Sequence, residues 1–296
     1  MGDIIENLGS NKLITTLLGI ENIDSLKNAW GNQPIINSNE DLNIKDIFSS
    51  VNLHNIFSTK ELPGREVRIL NYSHGEQKPE PILDDVISID YISQAIDSGF
   101  SVMIRRINQY SKLCASIRRR LSMELGCKLS DNLFISPPGC AALSQHADEH
   151  HTLNVQISGS KIWKLFSPPS DGSRIFGPTN SKEEIICSAV KSGSALYVPS
   201  RFPHEVYAVG EVTSISIAYA VNPICISEII NKLVSIGEGK KLWIAEDFEV
   251  ISTIEMDSSD IIAKLEYLLD RIRNSSEFIK DDLKSSIVSD VALSLI

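Results

Sequence analysis

Between residues 132 and 221 apolar positions cluster in short β-like runs separated by Gly, Pro and Ser. Leu153 to Ile157, Ile162 to Phe166, Ala195 to Val198 and Ser214 to Val221 each read as a strand. Many short strands with such punctuation predict a sandwich or a barrel. Upstream the pattern is mixed. From Ser88 to Gly99 the apolar residues fall at helical spacing and glycine ends the run, and Gln109 to Leu125, closed by Gly126, repeats the signal. Val67 to Leu70 and Phe100 to Ile104 predict short strands, and Asn132 to Gly139 a strand followed by a tight turn. The first 60 or so residues are polar and rich in Asn and Ser, so short helices and loops are expected there.

Beyond Pro223 the helical period returns. Asp260 to Arg273 places Ile261, Leu265, Leu268 and Ile272 on one stripe, and a second helix is expected from Glu277 to Leu293. Such a pair cannot bury its stripe alone, which predicts docking on the barrel or a homodimer through the C-terminal helices. The expected organisation is mainly β with helical additions. Residues 1–221 form the first unit, mixed to about 130 with a barrel core from about 132 to 221, and 222–296 form a helical region.

Composition narrows the function classes. The chain has 296 residues, 42% of them hydrophobic and 22% charged, which is ordinary for a globular protein with a sizeable core. A formal net charge of -10 argues against nucleic acid as a partner, because phosphate contacts need clustered Lys and Arg. Arg118-Arg119-Arg120 is the local exception, weighed as a solvated helix face against a patch for an acidic partner. The five cysteines are dispersed without CxxC spacing, as expected of reduced thiols in a cytoplasmic protein. No run reaches the 18 or so apolar residues of a membrane span.

The candidate chemistry begins at His146-x-Asp148. In an extended strand, residues two apart share a face, so this imidazole and carboxylate can converge on one point. A third ligand is needed from elsewhere, and His204 in the segment Tyr197 to Val206 is the best candidate. Two His and one carboxylate with open positions is the ligand set of non-haem Fe(II) oxygenases. His150 and His151 read as loop residues rather than ligands. Trp163, Phe166 and Tyr219 read as core, and Cys140 has no evident base partner.

Several motifs in order carry a resemblance. Asn132-x-Phe-x-Ser-Pro-Pro-Gly139, then His146-x-Asp148, then Gln156-x-x-Gly159-x-Lys161-x-Trp163, then Tyr197-x-Pro199 and Phe202-Pro203-His204-Glu205-Val206, resemble the JmjC/cupin-like oxygenases of the ribosomal-oxygenase branch. The likeness covers about 90 to 221. It implies a double-stranded β-helix (jelly-roll) core flanked by N-terminal and C-terminal helices. It also implies Fe(II) on His146, Asp148 and His204, and 2-oxoglutarate as cosubstrate anchored at Lys161. A hairpin at Ser158-Gly159-Ser160 would return the chain antiparallel and bring Lys161 toward the barrel interior. Asn132 is expected to contact the cosubstrate, Thr152 and Asn154 to face the same cavity, and Ser214 and Ser216 to offer polar groups from the last strand. The implied activity is O2-dependent hydroxylation of an amino-acid side chain in a protein or peptide, with a free amino acid or a natural-product intermediate as the alternative.

Two departures weaken transfer of a substrate. Cys140-Ala-Ala-Leu-Ser-Gln145 replaces a glycine-rich approach to His-x-Asp, and Ser194 stands where the family often has an acid. Two rivals come from other classes: a non-oxidative metal-binding cupin, and a binding module that kept the fold and lost the chemistry.

Overall fold

The computed structural model describes residues 13–38, 61–70, 72–73, 76–77, 86–169 and 176–223. The expected C-terminal helices and their dimer stripe lie outside the described residues. Helices α1 (Leu13–Leu18), α2 (Ile23–Ala29), α3 (Ile89–Asp97) and α4 (Lys112–Leu125) precede the barrel. The strands in chain order begin with β1 (Ile35–Asn37), β2 (Glu61–Pro63), β3 (Val67–Leu70), β4 (Tyr72–Ser73), β5 (Glu76–Gln77), β6 (Val86–Ser88), β7 (Ser101–Arg105) and β8 (Cys127–Ser136). They continue with β9 (His146–Ala147), β10 (His151–Ser158), β11 (Ser160–Phe166), β12 (Gly177–Pro178), β13 (Glu184–Lys191), β14 (Ala195–Val198), β15 (His204–Val209) and β16 (Ser214–Pro223).

Side-chain chemistry sets the helix boundaries. Ser88 Oγ accepts from the Tyr91 amide at 3.1 Å and starts α3. Ser111 Oγ accepts from the Cys114 amide at 3.3 Å, so α4 begins at Lys112 and not at Gln109. Gly126 closes α4 in the left-handed conformation, φ 62°, which glycine adopts at no steric cost.

Twelve of these strands form a seven-stranded sheet, ordered β1-β14-β10-β16-β8-β7-β3, and a five-stranded sheet, ordered β12-β9-β15-β11-β13, while β2 pairs with β6 and β4 with β5. The pairings are antiparallel throughout, as expected of a jelly roll. The turn at Ser158-Gly159-Ser160 differs from expectation. It makes no hairpin: β10 pairs with β14 and β16, whereas β11 pairs with β13 and β15. The turn is a corner that carries the chain from one sheet to the other. Gly159, φ 64°, passes so close to β16 that a Cβ there would lie 3.0 Å from Ser214 Cα, so the corner needs a residue without a side chain.

Strand β13 has no counterpart in the sequence reading. Its inward Ile186 and Val190 alternate with exposed or half-exposed Ile185, Cys187 and Ala189, so the apolar residues fall on both faces and the period-two signal cancels.

The larger core lies behind the seven-stranded sheet. Leu129, Leu133 and Ile135 of β8 pack in one cluster with Leu13 and Leu17 of α1, Ile92 of α3, and Ile117 and Leu121 of α4. The intervening β8 residues Lys128, Ser130, Asn132 and Phe134 are half-buried on the opposite face. Arg118 is buried, with Nη1 donating to the Leu129 carbonyl at 3.2 Å, so the arginine run is not simply a solvated face. A smaller cluster between the sheets joins Trp163, Leu165 and Val190 to Leu196, Val198 and Phe202. No helix among the described residues is long and apolar enough to cross a membrane.

Candidate metal centre

Strands β9 and β15 are neighbours in the smaller sheet, and their register sets His146 directly opposite His204. The two rings lie 4.3 Å apart between centroids. Asp148 follows two residues after His146, and its carboxylate faces both rings, 3.8 Å from His146 Nε2 and 3.8 Å from His204 Nε2. One ligand atom from each of the three side chains lies within 4.8 Å of the others.

Hydrogen bonds determine which nitrogens are available. His146 Nδ1 donates to the Ser144 carbonyl at 2.8 Å, and His204 Nδ1 donates to the Phe202 carbonyl at 3.0 Å. A carbonyl only accepts, so the Nδ1 atoms carry the protons and the Nε2 lone pairs turn inward in the neutral rings. Burial, reinforced by the neighbouring His146, holds His204 well below the ordinary histidine range and keeps it neutral. Thr152 Oγ1 donates to Asp148 Oδ2 at 3.2 Å and orients the carboxylate. Two inward lone pairs and a carboxylate repel one another unless a cation sits between them. The donor set therefore fits a divalent metal with open coordination positions.

The centre opens on a cavity of about 170 Å3 walled by both sheets. Asn132, Thr152 and Asn154 line it, and so does Lys161. Lys161 is 5% exposed; its Nζ donates to Ser216 Oγ at 2.9 Å and lies 5.4 Å from the centre of the Phe134 ring. Burial lowers its pKa to about 7. Ser214 is placed differently from expectation. It is buried beneath the Gly159 corner, off the cavity wall, and its Oγ accepts from Gln156 Nε2 at 2.7 Å.

Other wall residues went unassigned in the sequence reading. Phe134 lies beneath Lys161, and Trp163, expected as core, also stacks on His204 with ring centroids 5.5 Å apart. The available signal was the strand period: Phe134 stands two residues after Asn132, and Trp163 two after Lys161. His150 lines the cavity. His151 does not belong to a loop; it is buried at the start of β10.

The molecule's likenesses agree with this geometry. The JmjC domain family matches residues 104–225. Ribosomal oxygenase 1 of Danio rerio is 21% identical over 210 residues, covering 66% of this chain and 38% of that protein. The bifunctional lysine-specific demethylase and histidyl-hydroxylase NO66 of Drosophila melanogaster is 28% identical over 102 residues, covering 32% of this chain and 16% of that one. The chain thus spans less than two fifths of the length of either relative. Among solved structures, the Escherichia coli ribosomal oxygenase YcfD with cobalt and 2-oxoglutarate superposes with a TM-score of 0.56 at 16% identity, covering 90% of this chain and 70% of that one. The same protein with cobalt and succinic acid gives 0.52 at 17% identity, covering 86% and 67%. Shared fold, matched domain and converging His-Asp-His set point the same way: residues 104–225 match the JmjC domain family, and the fold is that of the JmjC/cupin-type jelly-roll oxygenases.

Proposed function

We propose that the chain is an Fe(II)- and 2-oxoglutarate-dependent dioxygenase that hydroxylates an amino-acid side chain in a protein or peptide. The observation that carries this is the sharing of one cavity by the triad and by Lys161. The Lys161 ammonium is buried with a serine hydroxyl beside it. A buried cation of this kind calls for an anion. A ligand with a metal-chelating end and a free carboxylate end satisfies both features, and 2-oxoglutarate is such a ligand. The YcfD structures with cobalt and 2-oxoglutarate or succinic acid support the pairing, and the histidyl-hydroxylase and demethylase relatives support a protein substrate.

When bound, Fe(II) with 2-oxoglutarate and O2 supplies the oxidising chemistry. The chain supplies position and exclusion of water. His146, Asp148 and His204 would hold the metal, beside the cavity that the cosubstrate would enter. Thr152 keeps the carboxylate of Asp148 in place. Lys161 anchors the far carboxylate of the cosubstrate, with Asn132 and Asn154 offering polar contacts from the opposite sheet. Met103, Leu143 and Ala218 add apolar surface to the wall and limit the entry of water.

The test is an anaerobic titration with Fe(II) and then 2-oxoglutarate, watched for the weak visible charge-transfer band, followed by a succinate assay in air. The expected result is a band that needs both additions and is lost in His204→Ala. A band unchanged in that variant, or absent from the wild type, would sink the assignment.

A further inference from the structure

His151 is buried three residues beyond Asp148, yet it contributes nothing to the metal triad. Its Nδ1 accepts from the Ser200 backbone N–H at 3.2 Å and from the Tyr197 hydroxyl at 3.0 Å, while Tyr197 Oη in turn accepts from the Gly31 amide at 3.0 Å. Its ring lies against Trp30, centroids 4.4 Å apart. Ser200 belongs to the turn Pro199–Phe202, closed by Phe202 N–H to the Pro199 carbonyl at 3.4 Å. Arg201 at the third position has φ 70°, the signature of a type II turn that ordinarily takes Gly or Asn there. A non-glycine residue persists in that conformation when its surroundings hold it. Here they do. The Arg201 N–H donates to the Asp148 carbonyl at 2.9 Å, and the Phe202 carbonyl accepts from His204 Nδ1 at 3.0 Å. One short turn thereby touches the backbone of one metal ligand and the ring of another.

We propose that His151 is a positioning residue for the metal centre: its Nδ1 pins the Pro199–Phe202 turn against the Asp148 segment and so sets the gap between Asp148 and His204 before a metal arrives. The inference rests on the metal reading given above. Nδ1 serves as acceptor only in the neutral ring, and burial, the largest influence, pushes His151 down to about 4, so the acceptor persists at ordinary pH.

The test uses the full chain and Co(II) alone, titrated calorimetrically, with circular dichroism as a check of folding. His151→Phe keeps a flat ring beside Trp30 and removes the acceptor. It should bind Co(II) about 10- to 100-fold more weakly, the usual loss when a group supporting a ligand is removed. His151→Asn, whose side-chain oxygen can replace Nδ1, should stay within a few-fold of the wild type. Ser200→Pro suits the second position of a type II turn and deletes the N–H donor, with Ser200→Ala as the control for the hydroxyl lost alongside it; it should weaken binding several-fold, because the Tyr197 contact remains. Combined with His151→Phe it should bind better than His151→Phe alone, since no buried N–H is left without a partner. Wild-type affinity in His151→Phe, or equal losses in the Asn and Phe variants, would overturn the inference. If His151→Phe does not fold, wild-type affinity in Ser200→Pro overturns it instead. Failure of the wild type itself to bind Co(II) removes the metal reading, a different failure from loss of the His151 effect.

Discussion

The two faces of the seven-stranded sheet are built on opposite rules. On the helix-facing side, Leu129, Leu133 and Ile135 of β8 are sealed beneath α1, α3 and α4. On the cavity side, Asn132 and Phe134 of the same strand line a cavity of mixed polar and apolar wall beside a metal-binding set. One face is held by apolar burial, which stabilises roughly in proportion to area. The other keeps a lysine, amides and histidines out of bulk water, which costs stability unless a ligand compensates. The comparison teaches that stability and chemistry are separated by the thickness of one strand. Disturbing the cavity face should alter binding with little loss of fold, and disturbing the helix face should do the reverse.

The largest effect should come from the ligands. Asp148→Ala or His204→Ala should remove measurable succinate formation and metal binding while the thermal midpoint without metal stays near that of the wild type. Unfolding of both variants would break the separation of the two faces.

Lys161 sharpens it next. Burial takes this lysine from its ordinary 10.5 down to about 7. For a lysine whose folded-state pKa is lowered, the unfolded chain binds more protons between those two values, so stability rises with pH across that window. The cost of burying Lys161 is therefore full below about pH 7 and fades as pH approaches 10.5. Lys161→Met should raise the midpoint of the ligand-free protein at pH 6 to 7 and change it little near pH 10.5. The same substitution should weaken 2-oxoglutarate by about 2–5 kcal/mol, roughly 30- to several-thousand-fold. A lowered midpoint at pH 7, or unaltered 2-oxoglutarate affinity, would show that this charge is compensated within the protein.

On the sealed face, Leu133→Ala should cost about 2–5 kcal/mol of stability, the range for a leucine truncated in a packed core. In the folded fraction its Co(II) affinity, measured below the melting range, should match the wild type. A parallel loss of metal affinity would mean that the two faces are mechanically coupled.

The smallest effect concerns Asp131, an acid on the sealed face. Burial, opposed by the nearby Arg118, raises its pKa from 3.8 to about 6. An acid raised in the folded state destabilises as it ionises, so the cost builds between those values and is full above about pH 6. Asp131→Asn should stabilise by up to about 3 kcal/mol at pH 7, less what Arg118 loses with its counter-charge, and by nearly nothing at pH 4. Equal effects at both pH values would mean that Asp131 stays neutral across the range.

Much of this was legible in the chain itself. The helices at Ile89–Asp97 and Lys112–Leu125 and strands such as Ala195–Val198 follow from local periodicity and capping, which neighbouring residues impose on one another. The pairing of His146 with Asp148 is local too. What the chain could not settle is which strand lies beside which. The Ser158-Gly159-Ser160 turn has the sequence of a hairpin, yet it makes a corner, because β11 pairs with β13 and β15 in the other sheet. Ser214 and Ser216 are equivalent on one strand face, but the corner passes over Ser214 and leaves Ser216 for Lys161. His151 has the polarity of a loop residue and is buried because Trp30, Tyr197 and Ser200 arrive from distant parts of the chain. Sequence determined the alternation, the caps and the ligand types, which depend on neighbours within a few residues. Only the tertiary structure decided which polar groups meet in the cavity, because that depends on contacts between strands far apart in the chain.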